Sequence, residues 1–218
     1  MCGRYGLIQK LDYLLRRYHA RGEFEWVVQY NICPTNKVPV VIEGSDGREI
    51  RLMSWGLIPF WAKEDKIRYS TINARAETVA TRPAFRDAFK KRRCIIPASG
   101  FYEWTKDKKP TWFTPRDEVF SFCGVWDRWK SPDGKEVESC SIITTDANEL
   151  VGKVHNRMPC AITDNMIAAW IAPGTPVDEL QSFLGPFPAS QMQAQPVSQY
   201  VNKVSNKGPE CIAPLNSV

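Results

Sequence analysis

The pattern of hydrophobic and polar positions predicts β-strands through the middle of the chain. The segments VPVVIEG (38–44) and REIRLMSWGL (48–57) flank Ser-Asp-Gly, which predicts a β-hairpin with Asp-Gly in its turn. A second hairpin is predicted by EVFSFCGVWDRW (118–129) and EVESCSIITT (136–145), which flank Pro-Asp-Gly. Both pairs are consecutive along the chain, so antiparallel pairing is expected.

Helical spacing is found only in short segments. QKLDYLLRRYHA (9–20) places its leucines three and four residues apart, which predicts an amphipathic helix. A short helix is predicted from about Pro83 to Lys91, ahead of the apolar strand CIIPA (94–98). Three more helices are predicted at 146–154, 164–171 and 176–185, the first beginning at an Asp or Asn cap.

The order of these elements does not alternate as βαβ units do. We therefore expect an α+β fold with a predominantly antiparallel, curved β-sheet, barrel-like or sandwich-like, flanked by short helices. A length of 218 residues suits one well-buried core, so a single domain over 1–218 is predicted.

Composition narrows the class of protein. Hydrophobic residues make up 43% and charged residues 24%, as in a folded globular domain. No apolar run approaches the roughly 20 residues of a membrane span, and the N-terminus lacks a signal peptide, so an intracellular protein without a membrane partner is expected. Seven cysteines without a C-x-x-C pair favour reduced thiols and neither a metal nor a cofactor. The net charge of +5 is compatible with a polyanionic partner.

The first residues, MCGRYG, suggest specific chemistry. A small second residue permits removal of Met1, which leaves Cys2 with a free α-amine beside its thiol. Near physiological pH a substantial fraction of such an amine is unprotonated, since its pKa is about 7.7–8.0, and this fraction attacks an aldehyde to form an imine. The thiol then closes a five-membered thiazolidine. The alternative is that Cys2 is a small buried hydrophobic residue.

Three further stretches each carry one reactive side chain: Asn73 in STINARAET (70–78), Glu103 in GFYEW (100–104) and His155 in VHNRMP (154–159). Aromatic neighbours are expected to desolvate Glu103 and raise its pKa. The ordinary pKa of histidine suits proton transfer at His155. Taken singly, each residue also has a structural explanation: a solvent-facing glutamate, a hydrogen-bonded histidine or a turn asparagine.

Together with other blocks, these stretches resemble the SOS response-associated peptidase (SRAP) family. The similar blocks follow the family's order and cover nearly the whole chain: MCGRYG, YNICPTN (30–36), WGLIPFWA (55–62), INARAET (72–78), RRCIIPASGFYEW (92–104), SIITTDAN (141–148), VHNRMP (154–159) and PVSQYVNKVSN (196–206).

The resemblance implies an enzyme of the DNA damage response that senses abasic sites in single-stranded DNA. It implies a covalent thiazolidine crosslink between the mature Cys2 and the ring-opened deoxyribose, which shields the lesion. Asn73 would position the amine and the sugar, while Glu103 and His155 would open the sugar ring and transfer protons.

The resemblance also suggests DNA contacts. Three arginines lie inside the similar blocks and are expected to bind phosphates, although each could form an internal ion pair instead: Arg4, Arg75 and Arg157. Trp61 and Trp104 are expected to stack on bases beside the lesion, with core packing as the alternative. No sequence-specific readout is expected, because an abasic site presents no base.

Other functions remain open from the sequence. Class II glutamine amidotransferases also begin Met-Cys-Gly and act as N-terminal nucleophile hydrolases, but an apolar residue usually follows, where this chain has Arg4. A peptidase activity could consist of autoproteolysis ahead of Cys2, and a non-catalytic single-stranded DNA-binding module would need no cysteine. The preferred hypothesis expects a monomer in the cytoplasm, at nucleoid lesions, or in the nucleus of a eukaryote.

Overall fold

The strands of the computed structural model, which describes residues 2–65 and 69–215, are numbered in chain order. They are β1 (Tyr5–Leu7), β2 (Gln29–Ile32), β3 (Lys37–Gly44), β4 (Gly47–Trp55), β5 (Asn73–Arg75), β6 (Arg93–Ala98), β7 (Gly100–Trp104), β8 (Pro110–Pro115), β9 (Phe120–Lys130), β10 (Glu136–Asp146), β11 (Arg157–Pro159), β12 (Ala161–Ile162) and β13 (Met192–Pro196). The α-helices are α1 (Leu11–Tyr18), α2 (Arg86–Lys91), α3 (Asp164–Ile171) and α4 (Val177–Ser182).

The strands form two sheets. The first has the order β13-β8-β7-β1-β2, and the second contains β10-β4-β3-β6-β9. Because β9 also pairs with β10, this second set closes on itself as a barrel. Among the described strands, only the pairs of β10 with β4 and with β5 are parallel. The predicted α+β fold with a curved, predominantly antiparallel sheet is confirmed.

Both predicted hairpins are confirmed. β3 pairs with β4, and β9 pairs with β10, each over most of its length. Gly47 and Gly134 stand in the two turns with φ values of 101° and 89°, a backbone conformation that only glycine adopts at low cost. The Asp-Gly signals therefore mark the turns for a steric reason.

Four of the five predicted helices form. Helix α1 buries Leu14 and Tyr18, the face that the leucine spacing marked. The helix predicted at 146–154 is wrong, because Asp146 ends strand β10 and pairs with Arg157 of β11. The short connection leaves only a 3-10 turn, Val151–Lys153.

An asparagine in that connection, Asn148, forms hydrogen bonds that differ from those of the predicted helix cap. The Asn148 Oδ1 accepts hydrogen bonds from the backbone N–H groups of Leu150 and Val151, at 3.1 and 2.9 Å. Its Nδ2 donates to the carbonyl of Phe187 at 2.7 Å. The cap therefore organises a tight turn instead of starting an α-helix.

Strand β6 lies inside the second sheet, between β3 and β9, and all of its residues are buried. Helix α3 covers its outer side, where the Trp170 Nε1 donates to the carbonyl of Cys94 at 2.9 Å. All seven cysteines of the chain are free thiols, and only Cys33 is not buried. In 2–65 and 69–215, no helix is long and apolar enough to traverse a bilayer.

Close packing at the start of β7 gives a stability prediction. A Cβ atom at Gly100 would stand 2.4 Å from the Trp112 ring and 2.6 Å from the carbonyl oxygen of Phe113. We expect Gly100→Ala to lower the free energy of unfolding by about 1–3 kcal/mol or more, because the backbone must shift. Urea denaturation measures the change.

Gly152→Ala is the matched control, because no atom lies within 4 Å of a Cβ built there. Its free energy of unfolding should change by less than about 1 kcal/mol. Equal stability of the two variants would contradict the packing described for β7.

Candidate active site at the N-terminus

The N-terminal residues run beside strand β7. Tyr5 pairs with Phe101 and Gly6 with Gly100, and the Tyr102 N–H donates to the carbonyl of Arg4 at 3.0 Å. Continuing this antiparallel register places Gly3 opposite Glu103. A backbone ladder therefore sets the terminal residues next to the strand that carries the glutamate.

Cys2 is held by Asn73 of strand β5. The Asn73 Nδ2 donates to the main-chain carbonyl of Cys2 at 2.8 Å. Cys2 is 0% exposed and Asn73 is 7% exposed. The Asn73 Oδ1 is buried and has no hydrogen-bond partner among the described residues. The amide thus fixes the Cys2 backbone and presents an acceptor in the same place.

Glu103 is a buried carboxyl group, with only 4% of its surface exposed. Burial raises its pKa from 4.5 to about 7, as its aromatic neighbours predicted, and the alternative of a solvent-facing glutamate is wrong. Burial also raises the pKa of the Cys2 thiol, and the charge of Glu103 adds to that effect. Near neutral pH, Glu103 can therefore either hold or release a proton, while the thiol stays protonated.

His155 lies in the connection between β10 and β11. Its Nδ1 lies within hydrogen-bond distance of both the Arg157 N–H, at 3.0 Å, and the Arg157 carbonyl oxygen, at 3.3 Å. Burial lowers the pKa of His155, so the neutral ring predominates near pH 7. Thr144 of β10 pairs with both Arg75 of β5 and Pro159 of β11. The connection that contains His155 therefore lies at the same end of the sheet as the strand that contains Asn73.

Arg157 forms internal ion pairs. Its guanidinium contacts Glu77 at 2.5 Å and Asp146 at 2.8 Å, and its side chain is 11% exposed. It also donates to the carbonyl of Thr144 at 2.6 Å. The alternative that the sequence left open, an internal ion pair, is therefore present in this structure. Phosphate binding by Arg157 stays a prediction.

Arg4 and Trp104 lie against each other. The guanidinium carbon of Arg4 is 5.6 Å from the centre of the Trp104 ring, a cation–π contact. The Trp104 Nε1 donates to the Asn202 side chain at 2.6 Å. This half-exposed pair sits where the terminal strand leaves the sheet, near Cys2.

Arg75 and Trp61 are exposed. Arg75 ends strand β5, two residues after Asn73, and has an exposed side chain. Trp61 is 54% exposed and lines a cavity of about 460 Å³ together with Thr71. Both positions suit contact with a ligand, but the structure gives no direct contact between Trp61 and Cys2.

The structure thus brings Cys2, Asn73 and Glu103 together, joins Arg4 to Trp104, and joins His155 to Arg157. Sequence reasoning missed Asn31, which is fully buried and accepts a hydrogen bond from Arg4. Its only signal was a polar residue inside the short strand segment YNI. In the described part of the chain, no group of three or more His, Cys, Asp or Glu side chains is arranged to hold a metal.

The fold and the site define an α+β protein with a buried cysteine near its N-terminus beside a carboxyl group of raised pKa. The sequence profile of the SOS response associated peptidase (SRAP) family matches residues 1–204. The chain belongs to this family.

Named relatives and solved structures extend the comparison. The chain is 38% identical to the abasic site processing protein YoqW of Bacillus subtilis, over 97% of this chain and 99% of the relative. It is 30% identical to the abasic site processing protein HMCES of Gallus gallus, over 99% of this chain and 78% of the relative. A crystal structure from Bacteroides thetaiotaomicron is 31% identical, covers 98% of this chain and 100% of its own, and superposes with a TM-score of 0.90.

The raised pKa of Glu103 predicts a pH-dependent stability. The unfolded carboxyl group ionises near pH 4.5, whereas the folded one stays protonated until about pH 7. The contribution of Glu103 to stability is therefore complete below pH 4.5 and is lost as the pH rises to about 7. Relative to wild type, Glu103→Gln should gain up to about 3 kcal/mol of unfolding free energy over that interval.

Urea denaturation at a series of pH values measures this difference. Glu149→Gln, at an exposed glutamate, is the control and should follow wild type at every pH. A difference between Glu103→Gln and wild type that stays constant from pH 4.5 to 7.5 would rule out the raised pKa.

Proposed function

We propose that this protein forms a covalent crosslink with abasic sites in single-stranded DNA through the aminothiol of a mature N-terminal Cys2. The observation that carries the proposal is the hydrogen bond from Asn73 to Cys2 next to Glu103, whose pKa is near 7. The printed names of its relatives, abasic site processing proteins, support the same substrate.

The proposed chemistry begins with the amine. After removal of Met1, the nitrogen of Cys2 attacks C1′ of the ring-opened deoxyribose, and the aldehyde oxygen takes up a proton. Loss of one water gives an imine. The sulfur then adds to the imine carbon while the thiol proton passes to the nitrogen, which closes a five-membered ring. The whole sequence releases one water and needs no oxidant or reductant.

The protonation states of the site fit this order of steps. A buried thiol with a raised pKa is a poor first nucleophile, so the amine reacts first. Glu103 can give a proton to the departing hydroxyl and accept one from the amine or thiol, since its pKa is near 7. His155, which is neutral near pH 7, can take up or release a proton at a ring nitrogen during opening of the sugar ring.

Charge and aromatic surface around the site support the choice of DNA. Arg75 is an exposed cation on the strand that carries Asn73, and Arg4 lies over Trp104 near Cys2. We assign phosphate contacts to Arg75 first, since Arg157 is already paired with two carboxylates. Trp104 and Trp61 supply ring surfaces for the neighbouring bases.

A crosslinking assay tests the proposal. A single-stranded oligonucleotide with one uracil, converted to an abasic site by uracil-DNA glycosylase, is incubated with the purified protein and separated on a denaturing gel. We expect a heat-stable slow band with wild type and none with Cys2→Ala, because the thiazolidine needs the sulfur. The alanine variant retains an amine and should give only a borohydride-trappable imine.

Intact mass must first confirm that Met1 is absent. Cys33→Ala is the matched control, because Cys33 is the one cysteine that is not buried, and it should crosslink like wild type. No adduct with mature wild type would refute the proposal. Binding without an adduct would favour a non-catalytic DNA-binding module, and turnover of glutamine without DNA would favour an amidotransferase.

The exposed arginine gives a separate prediction about DNA affinity. Arg75→Ala should weaken binding of a tetrahydrofuran-containing single strand, an unreactive abasic analogue, and reduce the dependence of log K on log salt by about 0.7. Fluorescence anisotropy across a salt series measures this slope.

Lys130→Ala is the matched control for Arg75→Ala, because Lys130 is exposed and lies opposite Glu136, at the other end of strand β10 from Thr144. It removes the same charge and should leave the slope unchanged. If the two variants lose equal affinity and slope, Arg75 has no local contact with phosphate.

A further inference from the structure

Two blocks of the sequence have no part in the chemistry so far, and the fold brings them together. One is YNICPTN (30–36), which includes the end of strand β2. The other is the segment 198–207, here called the strap, which contains a short 3-10 turn at Gln199–Asn202. Asn31 is the residue through which they meet.

Asn31 uses its whole amide group and is fully buried. Its Nδ2 lies within hydrogen-bond distance of three strap carbonyls, those of Val201 at 3.2 Å, Lys203 at 3.3 Å and Asn206 at 2.8 Å. Its Oδ1 accepts from the Arg4 Nη1 at 2.8 Å. One side chain therefore joins the strap to the residue two places after Cys2.

The strap also forms a direct hydrogen bond with Arg4. The Arg4 Nη1 donates to the carbonyl of Val201 at 2.8 Å, and its guanidinium lies over Trp104, which is itself bonded to Asn202. The Arg4 backbone is fixed separately by the Tyr102 N–H. Hydrogen bonds thus hold both the main chain and the side chain of Arg4, the residue two places after Cys2.

A buried polar group that connects three segments fixes geometry more than it adds stability, because each hydrogen bond replaces one to water. Lys207 reinforces the same point, since its Nζ donates to the carbonyl of Asn31 at 2.5 Å. The feature that this arrangement fixes is the orientation of Arg4, and through it that of the chain leading to Cys2.

We infer that Asn31 is a positioning residue for the crosslinking reaction, acting through Arg4 to hold the terminal aminothiol in line with Glu103 and the bound aldehyde. This inference rests on the proposed function. Asn31 itself does not contact the reacting atoms. Small displacements of a reacting group reduce rates strongly, so the effect is expected in the rate of crosslinking at saturating DNA.

A double-mutant cycle tests the inference. Asn31→Ala and Arg4→Ala are each expected to slow crosslinking at saturating abasic DNA by about tenfold, the usual size for loss of a hydrogen bond to a charged group. The double variant should be no slower than Arg4→Ala alone, because the inference assigns the effect of Asn31 on the reaction to its contact with Arg4. Affinity of Asn31→Ala for the tetrahydrofuran strand should change by less than about threefold.

Tyr18→Phe is the control for a general loss of stability. It removes another buried hydrogen bond, between the hydroxyl groups of Tyr18 and Ser121 at 3.0 Å, away from Arg4. Its crosslinking rate should equal that of wild type at a temperature where both are folded. If Asn31→Ala does not fold, Asn31→Leu replaces it with the same expected result, since leucine has a similar volume and neither accepts from Arg4 nor donates to the strap carbonyls.

The outcomes distinguish a failure of the proposed function from a failure of the inference about Asn31. If wild type forms no adduct, the proposed function itself fails. If wild type crosslinks but loss of Asn31 slows the reaction equally with and without Arg4, the inference fails while the proposed function stands. A slower Tyr18→Phe would likewise make the role of Asn31 merely structural.

Discussion

The pairing of the N-terminal residues with strand β7 is the interaction on which the rest of the site depends. Tyr5 and Gly6 of β1 pair with Phe101 and Gly100, and the same register places the chain around Gly3 beside Glu103. A slip by one residue would turn every side chain to the other face of the strand. The close contact at Gly100 with Trp112 helps to fix that register, because no side chain fits there.

Burial then determines the chemistry. The environment that raises the pKa of Glu103 to about 7 also keeps the Cys2 thiol protonated, so the carboxyl group is suited to proton transfer while the thiol is unsuited to attack first. The proposed reaction resolves this conflict, since the amine of a terminal aminothiol can react before its sulfur. Asn73 contributes by binding the Cys2 carbonyl and by presenting its buried Oδ1 in the same place.

The sequence predicted what depends on local pattern and missed what depends on long-range contacts. The turns at Gly47 and Gly134 followed from Asp-Gly signals, and the raised pKa of Glu103 followed from its aromatic neighbours. The parallel pairing of β10 with β4, which completes the barrel, had no local signature. The connection after Asp146 was predicted as a helix because a capping asparagine looks the same in a tight turn. Asn31 was missed because its partners are distant in the chain, with Arg4 27 residues and Val201 170 residues away.

Peptide mapping of the crosslinked protein tests the central claim most directly. Trypsin should release the tripeptide Cys-Gly-Arg, residues 2–4, from the mature N-terminus. After nuclease digestion of the adduct, mass spectrometry should find the DNA remnant on this tripeptide, with a mass equal to the sum of the two parts less one water. A remnant on any other peptide, or a terminal peptide that still carries Met1 in the adduct, would contradict the account.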